Sequence, residues 1–327
     1  MLGLNDRLSI LIYHRVLPVP DPLLPDEVDA ARFDRQVRVL KQYFNLLPLQ
    51  EAVAALFARR LPPRAATITF DDGYADNLTV AGPILARYGV PATVFIATGY
   101  LDGGCMFNDI VIEAIRRSRK ERINLDFIGL GATEIGSVEA RRALIGRLPE
   151  MLKYLSEDER LSKARRIATA AEAEPPSDLM LTSGQLRDLR RLGIVIGAHT
   201  ITHPILTRLS SREAREQIAG GRARLEDILG ERVTLFAYPN GKPHEDFGAE
   251  HVQMVAGLGF DAAVSTAWGA ASSASNRFQL PRFTPWDVSP ARFALRLFLS
   301  RLNPPPDPLP VPKEGALGQH RADSLEA

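Results

Sequence analysis

The sequence has almost no cysteine and almost no net charge. Cys105 is the only cysteine among 327 residues, which excludes an internal disulfide and a cysteine-built zinc cluster and fits a reducing compartment. The 40 basic and 39 acidic residues leave a formal net charge of +1. Bulk charge therefore gives no reason to expect nucleic acid or an anionic membrane as a partner.

Long apolar runs are also missing. The opening residues MLGLNDRLSILIYHRV contain one apolar run of about six residues and no basic start, unlike a signal peptide. No stretch approaches the roughly 20 apolar residues that a membrane helix needs. We therefore expect a cytoplasmic protein without a transmembrane segment, and peripheral contact with a membrane stays open.

The sequence does contain short apolar runs that alternate with amphipathic stretches. The runs predicted as strands are 8–14, 66–72, 91–98, 194–200, 234–241 and 261–266. Strands that alternate with helices indicate parallel pairing in βαβ units, and the number of repeats favours a closed or nearly closed β/α barrel. The predicted fold class is therefore α/β.

Two segments depart from this alternation. Residues 103–180 are rich in charge and in helical stretches, which predicts a helical insertion or lid within a barrel domain of residues 1–302. Within the insertion, we expect Asp109 to be a helix cap rather than a site residue. The tail 303–327 is proline-rich and then polar, a composition typical of disorder.

Polar residues follow several of the predicted strands at the point where each strand ends. They are His14, Asp71, Asp72, His199, Tyr238, Asn240 and Arg282. Because β/α barrels place their chemistry at the carboxyl ends of the strands, we expect these side chains to meet at one rim. A polar turn after a strand is common, so the positions alone are weak evidence for a functional site. The residue types make the evidence stronger.

The motif HTITH places His199 and His203 four residues apart, which on a helical turn puts both on one face. Two imidazoles on one face are a usual pair of metal ligands, although two satisfied or exposed histidines would give the same spacing. Only six histidines occur in the chain. This scarcity favours a metal site completed by an oxygen ligand.

The motif TFDDG supplies two adjacent carboxylates, Asp71 and Asp72, before Gly73. Alone, Asp-Gly indicates a surface turn. Together with HTITH, the pair predicts a division of labour at a strand end, where adjacent side chains diverge. One carboxylate would bind the metal and the other would stay free to accept a proton from water.

These motifs resemble those of a known family. TFDDG (69–73) and HTITH (199–203) look like the first two motifs of the polysaccharide deacetylase family, also called the NodB-homology domain or carbohydrate esterase family 4, and AYPNG (237–241) is similar to the third. The resemblance implies a distorted (β/α) barrel of the NodB-homology type, a divalent metal and hydrolysis of N-acetyl groups on sugars. The metal would most often be zinc, and the donor set also admits Co²⁺, Ni²⁺ or Fe²⁺.

The resemblance also implies roles for individual residues. Asp71 resembles the catalytic base. Asp72, His199 and His203 resemble the metal ligands. Tyr238 resembles the residue whose main-chain N–H contacts the oxyanion.

The sequence departs from the family pattern in two places. The third motif usually opens with an arginine that pairs with the base, but here it opens with Ala237, and the segment FQLPRF (278–283) lacks the usual catalytic histidine. We expect His14, on a first strand adjacent to the last, to be the general acid; a structural histidine at the rim is the alternative. We expect Arg282 to supply the missing cation and orient Asp71; a surface arginine is the alternative.

The function predicted from these residues is metal-dependent N-deacetylation of a saccharide, with metal-activated water and Asp71 as base. The substrate would be an exopolysaccharide or glycolipid precursor, free or lipid-linked. Two alternatives remain: another amide hydrolase on the same fold, and a degenerate sugar-binding protein that has lost turnover. The sequence gives no indication of the oligomeric state.

Overall fold

The computed structural model describes residues 6–303 and residue 309. The helices are α1 (Ala30–Tyr43), α2 (Leu49–Phe57), α3 (Gly82–Tyr88), α4 (Phe107–Arg117), α5 (Val138–Leu152), α6 (Glu157–Ala171), α7 (Ser183–Arg191), α8 (Ser211–Leu229), α9 (Ala249–Gly257) and α10 (Pro290–Ser300). The strands are β1 (Arg7–Tyr13), β2 (Val16–Leu17), β3 (Val28–Asp29), β4 (Asn45–Leu46), β5 (Ala65–Phe70), β6 (Ala92–Ile96), β7 (Arg122–Asn124), β8 (Ala132–Glu134), β9 (Val195–Ala198), β10 (Leu235–Ala237), β11 (Ala262–Trp268), β12 (Ala271–Ser272) and β13 (Leu280–Arg282).

Parallel strands form the central sheet in the order β1-β5-β6-β9-β10-β11-β13. The two ends of this order meet. A parallel bridge joins Leu11 to Phe283, with hydrogen bonds from the Ile12 N–H to the Phe283 carbonyl (3.0 Å) and from the Phe283 N–H to the Ile10 carbonyl (2.7 Å). The prediction of a β/α barrel is therefore confirmed, and its first and last strands are neighbours.

The barrel is irregular on one side. β9 and β10 share a single register pair, Phe236 with Ala198, and the register of β11 against β13 shifts between Val264 and Trp268. A shift of this kind bends a strand and re-aims the side chains that follow it. The distortion lies on the side from which β13 delivers Arg282.

The apolar core has two main layers. Strands β1 and β5 are buried along almost their whole length, as expected for parallel strands covered on both faces. One cluster fills the space between the strands and the surrounding helices, with Phe33, Phe70 and Phe236 among its buried members. A second cluster includes Ile10, Phe95 and Val264. These layers hold the strand ends rigidly.

The insertion has its own small core. Helices α4, α5 and α6 pack Val111, Leu148 and Ile167 into a separate buried cluster. The antiparallel pair β7–β8 within it was not predicted from the sequence. Its C-terminal end is tied to the loop after β5, where the Ala75 N–H donates to the Leu179 carbonyl at 2.9 Å. The insertion is therefore anchored beside the TFDDG motif.

Local signals in the sequence set several element ends. Thr182 caps α7 with a capping box, as predicted, and Gly89 ends α3 with a left-handed backbone. Of the predicted tail, only residues 303 and 309 fall within the described part of the chain. None of the helices in residues 6–303 is long and apolar enough to span a membrane.

Candidate active site

Asp71 follows β5 and is held by Arg282 from β13. The Nη1 and Nη2 atoms of Arg282 donate to Oδ1 and Oδ2 of Asp71 at 2.7 and 2.6 Å. The Nε atom donates to the Ser265 carbonyl at 2.8 Å, and Nη1 also reaches Thr69 Oγ1 at 3.3 Å. The side chains of the ion pair are 0% and 3% exposed. A two-point contact of this kind fixes the orientation of the carboxylate.

Arg282 also affects the protonation of Asp71. Burial raises the pKa of this carboxyl, but the nearby Arg282, aided by His199, lowers it by more, so that the net pKa lies below the ordinary value of 3.8. Asp71 is therefore ionised at neutral pH. Since each carboxylate oxygen has two lone pairs and Arg282 uses one on each, Asp71 can still accept a proton.

Asp72 is turned away from Asp71 by a tight turn. Its backbone is left-handed, with φ 74°, and the Gly73 N–H closes the turn on the Asp71 carbonyl at 2.9 Å. Gly73 has φ 89°, and a Cβ there would lie 2.9 Å from Cδ1 of Ile96. Strained backbone is concentrated at functional sites. The turn sends one carboxylate to Arg282 and the other to the histidines, which relieves their mutual repulsion.

His199 directly follows β9 and is held in one orientation. Its Nδ1 lies 2.7 Å from the Ala237 carbonyl, so we assign the proton to Nδ1 and leave Nε2 with a free lone pair. Nε2 lies 3.4 Å from Oδ1 of Asp72. Burial lowers the pKa of His199, but Asp72 and Asp71 raise it by more. The Nε2 atom of His199 thus points toward the carboxylate of Asp72.

The segment after His199 is not the helical turn that the spacing predicts. It forms a loop, with left-handed backbone at Thr200 (φ 67°) and His203 (φ 53°). Two hydrogen bonds with distant parts of the chain fix it. The Thr98 N–H donates to the Thr200 carbonyl at 3.2 Å, and the side-chain Oε1 of Gln217 accepts from the Thr202 N–H at 2.9 Å. The loop still brings Nε2 of His203 within 3.4 Å of Oδ1 of Asp72.

The donor set of Asp72, His199 and His203 fits a divalent cation. One ligand atom from each residue lies within 4.8 Å of the others. Oδ1 of Asp72 is buried without a hydrogen-bond partner among the described residues, a costly state for a carboxylate. Burial lowers the pKa of His203 to about 4, which keeps its imidazole neutral. Two imidazoles and one carboxylate are a usual set for catalytic zinc.

His14 lies at the exposed edge of this site. It directly follows β1, and its carbonyl accepts a hydrogen bond from Nδ2 of Asn77 at 2.8 Å. Its charge is among the influences that lower the pKa of Asp71 and of Asp72. The side chain therefore lies within electrostatic reach of both carboxylates while it stays open to solvent.

Both polar hydrogens of Tyr238, for which the resemblance implied a main-chain contact with the oxyanion, already have acceptors within the protein. Its main-chain N–H already donates to the Val264 carbonyl at 3.2 Å, and its hydroxyl donates to the Phe278 carbonyl at 3.0 Å. Within residues 6–303, the main-chain N–H of Asn240, two residues on, donates to no acceptor. Its φ is 58°. Asn240, not Tyr238, lines the cavity of the site.

A cavity of about 200 Å³ opens over these residues. Asp72, His203 and Asn240 form its barrel side. The insertion forms its other wall, with Met106, Phe107, Asn108, Pro149, Glu150, Lys153 and Arg160. Which residues of the insertion form this wall could not be predicted from the sequence, because none of them lies in a motif or at the end of a barrel strand.

A second contact joins the insertion to the TFDDG loop. The hydroxyl of Tyr74 donates to the two carboxylate oxygens of Asp109 at 3.2 and 3.1 Å. The expectation of a helix cap is wrong: the N-cap of α4 is Met106, and Asp109 is 3% exposed in the first turn. Burial raises the pKa of Asp109 to about 7.

Comparison with known proteins agrees with this architecture. Residues 58–125 and 147–263 match the family model described as polysaccharide deacetylase. YxkH of Bacillus subtilis (strain 168) is 21% identical over 278 residues, which cover 84% of this chain and 70% of YxkH. His14 and Arg282 lie outside the matched segments.

Two solved structures share the fold. The deacetylase PplD of Streptococcus pyogenes, solved in complex with acetate, is 22% identical, with a TM-score of 0.60 over 91% of this chain and 99% of PplD. IcaB from Ammonifex degensii is 21% identical, with a TM-score of 0.56 over 90% of this chain and 97% of IcaB. Since the family model matches more than half of the chain, the protein belongs to the polysaccharide deacetylase family, and N-deacetylation is the general reaction that its family and site support.

Proposed function

We propose that the protein is a metal-dependent hydrolase that removes N-acetyl groups from an N-acetylated saccharide. Asp72, His199 and His203 would hold the metal, with zinc as the first candidate and Co²⁺, Ni²⁺ or Fe²⁺ as others. When bound there, the cation would lower the pKa of water and polarise the amide carbonyl.

One observation carries the proposal: the two adjacent carboxylates have opposite surroundings. Both oxygens of Asp71 are hydrogen-bonded by a buried arginine, whereas Oδ1 of Asp72 has only two imidazole nitrogens at 3.4 Å and no hydrogen bond. A sugar-binding protein has no need of an ionised carboxylate beside a cation site. The pairing of Arg282 with Asp71 also weakens one of the two arguments for lost turnover, the absence of an arginine at Ala237; the other is the absence of the usual histidine.

Asp71 would act as the general base. Arg282 keeps its carboxylate ionised and correctly turned, and proton transfer by a positioned group typically contributes about 10²–10⁴-fold to the rate. His14 would protonate the leaving amine from the solvent side of the cavity. Its exposed position allows it to regain a proton between turnovers.

The developing oxyanion needs a donor on the chain as well. We assign this role to the main-chain N–H of Asn240, because Asn240 lines the cavity and its N–H is not used in the sheet. The turn around it is closed by the Gly241 N–H on the Pro239 carbonyl at 2.6 Å. Such a turn holds the N–H in place before the substrate arrives, which is the condition for oxyanion stabilisation.

A second candidate is hydrolysis of another amide or a cyclic imide on the same residues. The cavity favours it: about 200 Å³ is below the roughly 300 Å³ at which pockets for drug-sized ligands begin. A single sugar unit or a small amide would fit better than several sugar units. The two candidates differ in the product released.

The test is acetate release from a panel of N-acetylated sugars and small amides. Metal-stripped protein would be assayed with and without added zinc, beside Asp71→Asn. Asp188→Asn is the matched control, since this α7 residue has an exposed surface partner, Arg191. We expect zinc-dependent release that Asp71→Asn reduces by about 10²-fold or more and that the control retains.

Other outcomes would change the assignment. Zinc-dependent hydrolysis of the small amides without acetate release from any sugar would favour the second candidate. Equal release by Asp71→Asn and the unaltered protein would overturn the role of Asp71.

A further inference from the structure

The insertion places an arginine in the wall of the active-site cavity. Arg160 lies on α6 and is 6% exposed, yet it lines the same cavity as Asp72 and His203. Within residues 6–303 its guanidinium makes no hydrogen bond and no ion pair. It makes a cation–π contact, with Cζ 5.0 Å from the centre of the Phe107 ring.

This state is unusual for a buried arginine. A guanidinium carries five N–H donors. None of the nitrogen atoms of Arg160 is among the fully buried atoms that lack a hydrogen-bond partner, so they are reached from the cavity. Stacking on Phe107 satisfies the face of the guanidinium and leaves its N–H edge unused. Arg282, the other buried arginine of the cavity region, is by contrast bound to Asp71, Ser265 and Thr69. The donors of Arg160 are therefore available to a ligand.

The position of Arg160 is fixed relative to the metal-ligating loop. One turn earlier on α6, Glu157 accepts a hydrogen bond from Oγ1 of Thr202 at 2.9 Å, and Thr202 adjoins His203. Glu157 is thus used by the loop and makes no ion pair with Arg160. The contact anchors the start of α6 beside the histidines and directs the next turn toward the cavity.

The remaining charges of the insertion wall are Lys153 and Glu150. Together with Arg160 they give this wall a net positive charge, opposite Asp72 on the barrel side. A neutral sugar can accept hydrogen bonds from such a wall, but it has no negative charge to pair with it. A guanidinium fork matches a carboxylate or a phosphate in geometry as well as in charge.

We infer that Arg160 binds an anionic group, a phosphate or a carboxylate, carried by the N-acetylated sugar unit that occupies this cavity or by its immediate neighbour. The inference rests on the proposed function, since it names the substrate class of the same site. Arg160 is thereby a specificity-determining residue, contributed by the insertion rather than by the barrel.

One phosphorylated monosaccharide and two disaccharides test the inference on zinc-loaded protein. They are N-acetylglucosamine 1-phosphate, a disaccharide of N-acetylglucosamine and glucuronic acid, and neutral N,N′-diacetylchitobiose. The first two distinguish phosphate from carboxylate. We expect at least one anionic probe to exceed the neutral one in kcat/KM by about 10–100-fold, the usual range for a charge-assisted hydrogen bond.

The variants assign that preference to one side chain. Arg160→Gln should reduce the ratio of anionic to neutral kcat/KM to near one through KM, and Arg160→Lys should keep part of it. Arg165→Gln is the matched control, because Arg165 is an exposed residue of the same helix that lines a different cavity. It should leave the ratio unchanged.

Failure of the inference differs from failure of the proposed function. Acetate release without an anionic preference, or a preference that Arg160→Gln retains, overturns the inference and leaves the deacetylase. Inhibition by free acetate that Arg160→Gln alone abolishes, without a sugar preference, would make Arg160 a product site and also overturn it. If no probe releases acetate, calorimetric titration with N-acetylglucosamine 1-phosphate decides: tighter binding to the unaltered protein than to Arg160→Gln supports the inference, and equal or absent binding overturns it.

Discussion

The strand-end rim of the barrel and the insertion wall face the same cavity, but they hold their charged side chains in different ways. At the rim, Asp71 and His199 are bound by other parts of the barrel through hydrogen bonds of 2.6–2.7 Å. On the insertion wall, the guanidinium of Arg160 makes no hydrogen bond or ion pair with the rest of residues 6–303 and lies over the face of Phe107. Asp71 and His199 are therefore fixed before a substrate arrives, whereas the N–H donors of Arg160 are unused.

This difference suggests a division of function. Groups that act on the reacting bond must be preorganised, and the barrel provides this by delivering them from the ends of rigid strands. Groups that recognise the rest of a substrate can remain unpaired until it binds. On this view the chemistry resides in the barrel and the selectivity in the insertion. The predictions below test the two sides separately.

The largest effect is expected from breaking the buried pair at the rim. Arg282→Leu leaves Asp71 buried without its cation, which should cost about 3–5 kcal/mol of stability. It should also raise the pKa of Asp71, since the largest influence that opposes burial is lost. The free energy of unfolding measured in urea and the rate of acetate release should both fall. The double variant Asp71→Leu/Arg282→Leu should recover stability without activity.

An exposed pair provides the control for that experiment. Arg212 and Glu216 are ion-paired on α8 with side chains 78% and 60% exposed, and Arg212→Leu should change stability by less than about 1 kcal/mol. If Arg282→Leu were as stable as Arg212→Leu, the buried pair would not be what fixes the rim.

The next effect concerns proton supply from the open side of the cavity. His14→Gln should lower turnover of an N-acetylated sugar by about 10²-fold, as expected for loss of a general acid. With 4-nitrophenyl acetate the loss should be much smaller, because the leaving phenolate needs no proton. Near-normal turnover of the sugar would rule out the acid role, and equal losses on both substrates would indicate a structural histidine.

Zinc should stabilise the protein through the rim alone. At 100 times its Kd, zinc should add about 2.7 kcal/mol to the free energy of unfolding, and His203→Asn should remove this gain. Asn is chosen because it tolerates the left-handed backbone at His203. His244→Asn is the matched control, since His244 also has positive φ (70°) and is exposed; loss of the zinc effect in both variants would contradict the assigned ligands.

Much of the rim could be predicted from the sequence because strand ends are local signals. Asp71, His199 and Arg282 each directly follow or end an apolar run, and parallel strands bring such positions to one edge. The loop of His203 could not be predicted. Its left-handed turns depend on Thr98 and Gln217, which come from other parts of the chain.

Two further features depend on long-range packing. Whether Tyr238 or Asn240 offers a free N–H is decided by the register of β10 against β11, in which Ala237 is paired with Val264. Arg160 is one of 40 basic residues and lies on a helix with no motif. Only the docking of the insertion onto the barrel distinguishes it from a surface arginine.

The smallest effect tests how the two regions are joined. Asp109 of the insertion is buried against Tyr74, next to the rim. Burial is the largest influence on its pKa, which is raised to about 7. Asp72 and Glu113 also raise this pKa, whereas Arg15 lowers it. Between the ordinary pKa of 3.8 and about 7, the folded protein holds a proton that the unfolded chain releases. Stability should therefore fall as pH rises through this window, by at most ~1.4 kcal/mol per pH unit.

Asp109→Asn removes the titrating group and keeps an oxygen that can accept the hydrogen bond of Tyr74. In metal-stripped protein, its stability relative to the unaltered protein should increase from pH 4 to pH 7, as measured by urea unfolding at each pH. Asp126→Asn, at an exposed position of the same insertion, should show no such trend. A flat difference for Asp109→Asn would mean that Asp109 is ionised in the folded protein, and that the insertion is joined to the rim by an ionic contact rather than by a neutral carboxyl.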